Sequence, residues 1–157
     1  FGTNLKKEIP RIPISPDFAK FAKIGISLVE LFAGYDSLDK FPLTFDNPNR
    51  PRVEKLRLIR GADKSVRIRV NESFDITGFP DDIDDFRVFG RSPLAWVADR
   101  YGVNTNTESG LVNDANEWGL EKGNPNYIYD LIGQVTNLTA KVQEAYASVG
   151  EVDWEAI

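Results

Sequence analysis

Three short segments most constrain how this chain can fold, because each opens with a small polar residue and a proline and continues with apolar residues at helical spacing. The openings are Ser15-Pro16, Ser92-Pro93 and Asn124-Pro125. Proline suits the first turn of a helix, where its missing N–H would have no partner, and Ser or Asn can accept a hydrogen bond from a free N–H of that turn. The sequence therefore predicts three helices that end near Gly34, Gly102 and Gly150.

The apolar residues of these segments form one stripe on each predicted helix. Such stripes are far more often core than cofactor contacts, so we expect them to be buried and in mutual contact. The stripes consist of Phe18, Phe21, Ile24 and Leu28 in the first helix, Leu94, Val97 and Tyr101 in the second, and Ile128, Leu131, Ile132 and Val135 in the third.

Between the first two predicted helices the spacing changes to the alternation typical of β-strands. Residues 53–60 and 66–71 flank a turn-rich segment and predict a hairpin, and residues 74–79 predict a third short strand. We expect residues 41–51 to be an extended connector and residues 103–123 to be a long polar loop held by Trp118. The predicted fold is α+β, with three main helices packed with a small antiparallel sheet that contains a β-hairpin.

Positive charge is concentrated in the predicted hairpin. Residues 50–69 contain eight Lys or Arg and two acidic residues, a local net charge of +6, whereas the whole chain carries −5 and the remainder therefore −11. A segregated basic block in an acidic chain is a candidate phosphate-facing surface. The sequence leaves open the alternative that this is a solvated hairpin face balanced by the acidic run that follows it. That run consists of Glu72, Asp75, Asp81, Asp82, Asp84 and Asp85.

Strand alternation predicts which charged side chains share a face of the hairpin. We expect the apolar residues Leu56, Leu58, Val66, Ile68 and Val70 to point to the core. The opposite face would then carry Lys55, Arg57, Arg67 and Arg69, with Arg50 and Arg52 extending the strip.

The chain lacks several of the residues on which catalytic chemistry most often depends. The chain has no cysteine and no histidine, which excludes disulfides, thiolate catalysis and the commonest general base and zinc ligand. No phosphate-binding loop, dinucleotide fingerprint or Asp/Asn-Pro-Pro-Tyr methyltransferase motif is present. We predict no catalytic and no metal site, although carboxylate chemistry stays formally possible. No apolar run approaches the roughly 20 residues of a membrane span, and no signal peptide is visible.

Several phrases, in order, carry a resemblance to a known family. They are Lys6 to Pro13 followed by Asp17-Phe18, then Gly25 to Tyr35, Phe89 to Tyr101, Ser109 to Trp118, and Asn124 to Ile128. From about residue 5 to 145 the chain resembles the C-terminal specificity domain of type ISP restriction–modification enzymes. It is also similar to the same module of predicted helicase–adenine methyltransferase fusion proteins. Local departures are Pro93 for an expected Ala, Ala95 for Glu and Ala115 for Pro.

The resemblance implies that residues 1–157 are a single target-recognition domain, or the C-terminal part of one, excised from a much larger polypeptide. That polypeptide would be a bacterial, cytoplasmic, ATP-dependent restriction endonuclease with helicase-like and adenine methyltransferase parts, using ATP, Mg²⁺ and S-adenosylmethionine. This chain would need no cofactor. Its partners would be double-stranded DNA and other domains of the same polypeptide.

The resemblance also gives roles to the candidate site residues. The basic strip would contact DNA phosphates, and polar side chains of the predicted loop would contact base edges. The candidate phosphate contacts are Arg50, Arg52, Lys55, Arg57, Arg67 and Arg69, and the candidate base contacts are Asn104, Asn106, Asn113 and Asn116. The alternative is a structural module that docks on neighbouring domains, with its basic face against acidic protein surface.

Overall fold

The three predicted helices form close to their predicted bounds in the computed structural model, which describes residues 15–150. They are α1 (Phe18–Ala33), α2 (Pro93–Arg100) and a long C-terminal helix over Tyr127–Val149. The hydroxyl of Ser92 accepts a hydrogen bond from the Ala95 N–H at 3.3 Å, as expected of an N-cap. The side-chain oxygen of Asn124 accepts one from the Asn126 N–H at 3.0 Å. The part of the resemblance at residues 6–13 lies outside the described residues.

The predicted antiparallel sheet also forms. Its strands are β1 (Thr44–Phe45), β2 (Arg57–Arg60), β3 (Val66–Asn71) and β4 (Phe74–Thr77), in the spatial order β1-β4-β3-β2. The hairpin β2–β3 and the third predicted strand are therefore confirmed, and the connector 41–51 contributes the short edge strand β1.

The first strand of the hairpin is shorter than predicted, because residues 53–56 are not β-strand. Their backbone groups bond to the later part of the chain. The Val53 N–H donates to the side-chain oxygen of Asn116 at 3.1 Å, and the Asn116 amide donates to the Val53 carbonyl at 2.8 Å. The Glu54 carbonyl accepts from the Val103 N–H at 2.8 Å.

The prediction of one long polar loop over residues 103–123 is wrong. This segment forms a second hairpin, β5 (Val103–Thr105) and β6 (Val112–Asp114), and a short helix α3 (Ala115–Glu121). The C-terminal helix is therefore α4. The hairpin turn is closed by Asn106, whose side-chain oxygen accepts from the N–H groups of Glu108 and Ser109 at 3.0 and 2.9 Å. Two three-residue strands of mostly polar residues carry no apolar alternation, so the sequence pattern did not reveal them.

The described residues fall into two compact units, of which residues 34–143 form the larger. Its core joins β3 and β4 to α2 and α4, with Val53 and Ile83 also buried. The predicted stripes of α2 and α4 contribute to this core, confirming their inward orientation. Leu131, Val135 and Tyr101 are only partly buried at its margin.

The expectation that the stripe of α1 is largely buried is wrong. Helix α1 belongs to the smaller unit, together with the last turns of α4, and none of its residues is fully buried. Phe18 is 71% exposed, whereas Phe21, Ile24 and Leu28 are half-buried. The physical reason is that the described part of this unit offers α1 too few neighbouring elements to enclose an apolar stripe.

Between residues 15 and 150, no helix combines the length and apolar character needed to cross a membrane.

Candidate nucleic-acid interface

The hairpin β2–β3 presents arginines on the face opposite the core. Along β3, Val66, Ile68 and Val70 are buried, while Arg67 is exposed and Arg69 is half-buried. Arg57 lies directly opposite Arg69, and Leu58 lies opposite Ile68. Because directly opposite residues share a face, Arg57, Arg67 and Arg69 lie on one face, as the alternation predicted.

A carboxylate from β4 partly neutralises this face. Arg69 donates two hydrogen bonds to Asp75, Nε to Oδ1 at 2.9 Å and Nη2 to Oδ2 at 3.0 Å, and Arg67 Nε lies 3.6 Å from Asp75 Oδ2. These hydrogen bonds hold the pKa of Asp75 below its ordinary value and raise the pKa of Arg69. The pairing offsets the repulsion expected of like charges on facing strands. The face stays positive, since Arg57 forms no ion pair within residues 15–150 and the three arginines outnumber the carboxylates of Asp75 and Asp46 near Arg69.

Arg50 and Arg52 have intramolecular partners elsewhere. The Arg50 guanidinium lies 4.3 Å from the ring centre of Phe45 and 3.5 Å from a carboxylate oxygen of Asp130 on α4. Arg52 forms an ion pair with Asp114 at the end of β6. These contacts hold the segment after β1 to α4 and to the second hairpin, so the structure gives both arginines a packing role.

Three grooves adjoin one another around β2, which within the described chain pairs only with β3. The first is lined by Lys55, Arg57 and Arg69, together with Glu54, Val70, Asn71 and Glu72. The second shares Glu54 and Lys55 with the first and adds Arg100, Tyr101, Asn104 and Asn113. The third shares Leu56, Ala98 and Asp99 with the second and adds Arg60, Arg87 and Arg91. We call the side chains lining these three grooves the groove surface.

The groove surface runs around the edge of the sheet. Arg57 and Arg69 lie on the face away from the core, whereas the third groove, with Leu58 and Arg60, lies on the face that α2 covers. The second groove joins the two sides at residues 54–56. The basic face and part of the polar segment, which were separate predictions, thus become neighbours.

Asn104 and Asn113 face each other across β5 and β6, and both are exposed. Within residues 15–150 no hydrogen bond engages either side-chain amide. Both amides line the second groove beside Lys55, so they are available to an external ligand.

Asn106 and Asn116 are placed differently, because their side chains are occupied within the chain. Asn106 closes the turn between β5 and β6. Asn116 bonds to both backbone polar groups of buried Val53 and to the carboxylate of Asp114. The structure therefore gives these two asparagines a role in building the hairpin and attaching it to the sheet.

Sequence reasoning missed four arginines of the groove surface. Arg60 forms two hydrogen bonds to Asp84, and Arg87 Nη2 lies 3.4 Å from the same carboxylate. Arg91 Nη1 lies 2.7 Å from Asp99 Oδ2, and the Arg100 guanidinium lies 5.9 Å from the ring centre of Trp96. They come from β2, the turn before α2 and α2 itself, so only the tertiary fold brings them together.

The acidic run after β4 contains a buried ion-pair partner rather than solvated charge alone. Burial would raise the pKa of Asp84, but hydrogen bonds from Arg60 and Ser92 outweigh it and lower that pKa overall. Among residues 15–150, no three acidic side chains converge in a way that could hold a metal ion.

Comparison with known proteins gives a consistent result. The family model of the Type ISP C-terminal specificity domain matches residues 1–131. The solved structure of the ATP-dependent Type ISP restriction-modification enzyme LlaBIII bound to DNA is 26% identical, with a TM-score of 0.78 over 97% of this chain. A nuclease-deletion mutant of the Type ISP enzyme LlaGI, in complex with a DNA substrate mimic, is 27% identical, with a TM-score of 0.79 over 99% of this chain.

The DrdV–DNA complex shares the fold, with a TM-score of 0.73 and 24% identity over 99% of this chain. The chain spans only 10%, 12% and 16% of the LlaBIII, LlaGI and DrdV chains, respectively. No curated protein sequence matches this chain.

Proposed function

Because this chain belongs to the Type ISP C-terminal specificity domain family, we propose that it recognises the DNA target of a single-chain, ATP-dependent restriction–modification enzyme with adenine methyltransferase activity. The chain itself contributes recognition and no catalytic step. ATP, Mg²⁺ and S-adenosylmethionine are used by other parts of that polypeptide. The observation that carries the proposal is the groove surface, which places exposed cations beside two asparagine amides that have no hydrogen-bond partner among residues 15–150.

The cations supply affinity for the DNA backbone. Lys55 and Arg57 are exposed, and within the described chain neither forms an ion pair, so a phosphate need not displace a carboxylate from them. Arg67 and Arg69 are oriented by Asp75, and they add positive charge on the same face as Arg57. Phosphate contacts position a duplex and make its binding dependent on salt, but they carry no sequence information.

The second hairpin supplies the sequence readout. A two-stranded β-ribbon fits the major groove of B-DNA, and an asparagine amide can form paired hydrogen bonds with N6 and N7 of adenine. Asn104 and Asn113 occupy facing positions on such a ribbon. They lie beside Lys55, which would anchor the adjacent phosphates.

The alternative function, docking on a neighbouring protein domain, is favoured by one observation. Arg67 and Arg69 already pair with a carboxylate, so their face can accept acidic protein side chains as readily as phosphates. Both functions use the same cations, and the dependence of binding on DNA sequence separates them.

The test measures DNA binding by the full-length polypeptide that carries this domain. We expect the double substitution Lys55→Ala with Arg57→Ala to weaken binding about equally across DNA sequences. It should also lower the salt slope by roughly one for each phosphate that is no longer neutralised. Asn104→Ala with Asn113→Ala should instead reduce discrimination against the wrong base by about 1–3 kcal/mol for each paired interaction with a base.

The matched control is Lys141→Ala, which removes an exposed charge of α4 that lines none of the three grooves. It should leave affinity and salt slope unchanged. Unchanged affinity, salt slope and specificity in both double variants, with a folded polypeptide, would assign the groove surface to domain docking instead.

A further inference from the structure

Phe89 stands out because its ring is almost entirely in water. It is 95% exposed, at the tip of a tight turn in which the Val88 N–H donates to the Arg91 carbonyl at 2.8 Å and the Arg91 N–H donates to the Val88 carbonyl at 3.3 Å. A phenylalanine ring contributes to folding by leaving water. In the described chain this ring makes no such contribution.

The backbone at Phe89 is unfavourable as well. Its φ is +53° and that of Gly90 is +81°, the pair of left-handed values that a type I′ turn requires. Asn, Asp and Gly adopt such values readily, whereas a bulky side chain there is strained. Strain and exposure together at one residue point to a use of the ring outside the fold.

The turn is nevertheless held by hydrogen bonds from two side chains. The Trp96 indole N–H donates to the Val88 carbonyl at 3.1 Å, and Arg87 Nη1 donates to the Gly90 carbonyl at 3.3 Å. The Arg91 guanidinium lies 4.9 Å from the Trp96 ring centre. Because α2 carries Trp96, the ring of Phe89 is presented from a fixed support, and little entropy is lost when it engages a partner.

The surroundings of the turn favour a polyanion as that partner. Arg87 and Arg91, two residues before and after Phe89, line the third groove. They pair with Asp84 and Asp99, respectively, but each keeps roughly half of its side chain exposed. That groove continues into the one lined by Lys55, Asn104 and Asn113. The exposed ring thus stands at one end of the groove surface, between two arginines.

We propose that Phe89 is an apolar wedge that inserts between two stacked base pairs of the bound duplex, with Arg87 and Arg91 on the flanking phosphates. This inference rests on the proposed function, since it requires DNA on the groove surface. Proteins that insert apolar side chains into a base step unstack and kink the duplex there. Flexible pyrimidine–purine steps deform most easily, so the wedge adds a sequence preference without contacting base edges.

The test uses the full-length polypeptide and duplexes that it selects from a randomised pool, labelled with 2-aminopurine at successive positions. Apart from any adenine that the methyltransferase part flips out of the helix, binding of the unsubstituted polypeptide should increase the fluorescence at one step, where the bases are unstacked. Phe89→Asn keeps a residue that tolerates positive φ and removes the ring. It should abolish the signal and weaken binding roughly tenfold, as expected when one stacking interaction with a base is removed. The salt slope should not change, because no charge is removed.

Two further variants serve as controls. Phe89→Trp retains an aromatic ring and should keep the fluorescence signal. Leu120→Ala removes another exposed apolar side chain, on α3 and outside the three grooves, and should change neither signal nor affinity. The melting temperature of Phe89→Asn should equal or exceed that of the unsubstituted polypeptide, because backbone strain is relieved.

Three outcomes overturn the wedge, and one of them also overturns DNA recognition. Selected duplexes that bind Phe89→Asn with unchanged affinity and fluorescence leave DNA recognition intact and remove the wedge. A lowered melting temperature of Phe89→Asn means that the ring packs on another domain of the polypeptide. Failure of the randomised pool to yield any preferred duplex removes both the wedge and the proposed function.

Discussion

The two hairpins of the larger unit are built on different physical principles. β2–β3 lies within a four-stranded sheet and buries one face in the core. β5–β6 is a separate two-stranded ribbon, on which Val112 is 61% exposed. Its shape depends on asparagine side chains bonded to backbone groups. The first hairpin is therefore stabilised by burial and offers charge, whereas the second is stabilised by hydrogen bonds, both within its turn and to residues 53–54, and offers polar groups.

The largest expected difference follows from burial. Ile68 on β3 is fully buried, so Ile68→Ala should lower the free energy of unfolding by about 2–5 kcal/mol, through reduced burial and a residual cavity. The matched change on the second hairpin, Val112→Ala, should cost no more than about 0.5 kcal/mol because that side chain is exposed. Urea unfolding of both variants measures the difference. Equal losses of stability would contradict the distinction between the two hairpins.

An effect of similar size is expected where the second hairpin attaches to the sheet. Asn116→Ala leaves the buried N–H and carbonyl of Val53 without their side-chain partner, and each group left unsatisfied costs about 1–3 kcal/mol. Asn104→Ala is the matched control, since its exposed amide has no hydrogen bond within the described residues, and it should be nearly neutral for stability. Thermal unfolding of the two variants tests the assignment. A neutral Asn116→Ala would show that water replaces its hydrogen bonds.

The smallest effect concerns acid. The Arg69 hydrogen bonds lower the pKa of Asp75 in the folded chain, so Asp75 stabilises the fold above its unfolded pKa of about 3.9. That stability is lost as pH falls through the lower, folded pKa. Asp75→Asn should therefore be less stable than the unsubstituted chain at neutral pH and nearly equal to it once the pH lies below the folded pKa of Asp75. The measurement is the urea midpoint of each protein across this range. A stability gap that stays constant with pH would show that Asp75 does not act through its charge.

The same contrast explains how much of the fold could be predicted. Helices α2 and α4 and the hairpin β2–β3 follow from caps, prolines and apolar periodicity, because burial of one face imposes a period on the sequence. The hairpin β5–β6 and α3 have no such period, and their exposed strands are fixed by Asn106 and Asn116 through hydrogen bonds that periodicity does not encode. Helix α1 formed at its predicted position, but its stripe remained partly exposed, because periodicity identifies an apolar face and not what covers it.

The candidate site was also predictable from the sequence only in part. Strand alternation by itself placed Arg57, Arg67 and Arg69 on one face, since side-chain direction in a strand has a period of two. The sequence also determined the absence of His and Cys chemistry. Only the tertiary structure showed that Arg69 pairs with Asp75. It likewise showed that Arg50 and Arg52 contact carboxylates of α4 and the second hairpin. It also placed Lys55 beside Asn104. The reason is that local sequence sets the direction of a side chain, whereas its partners come from distant segments that the core brings together.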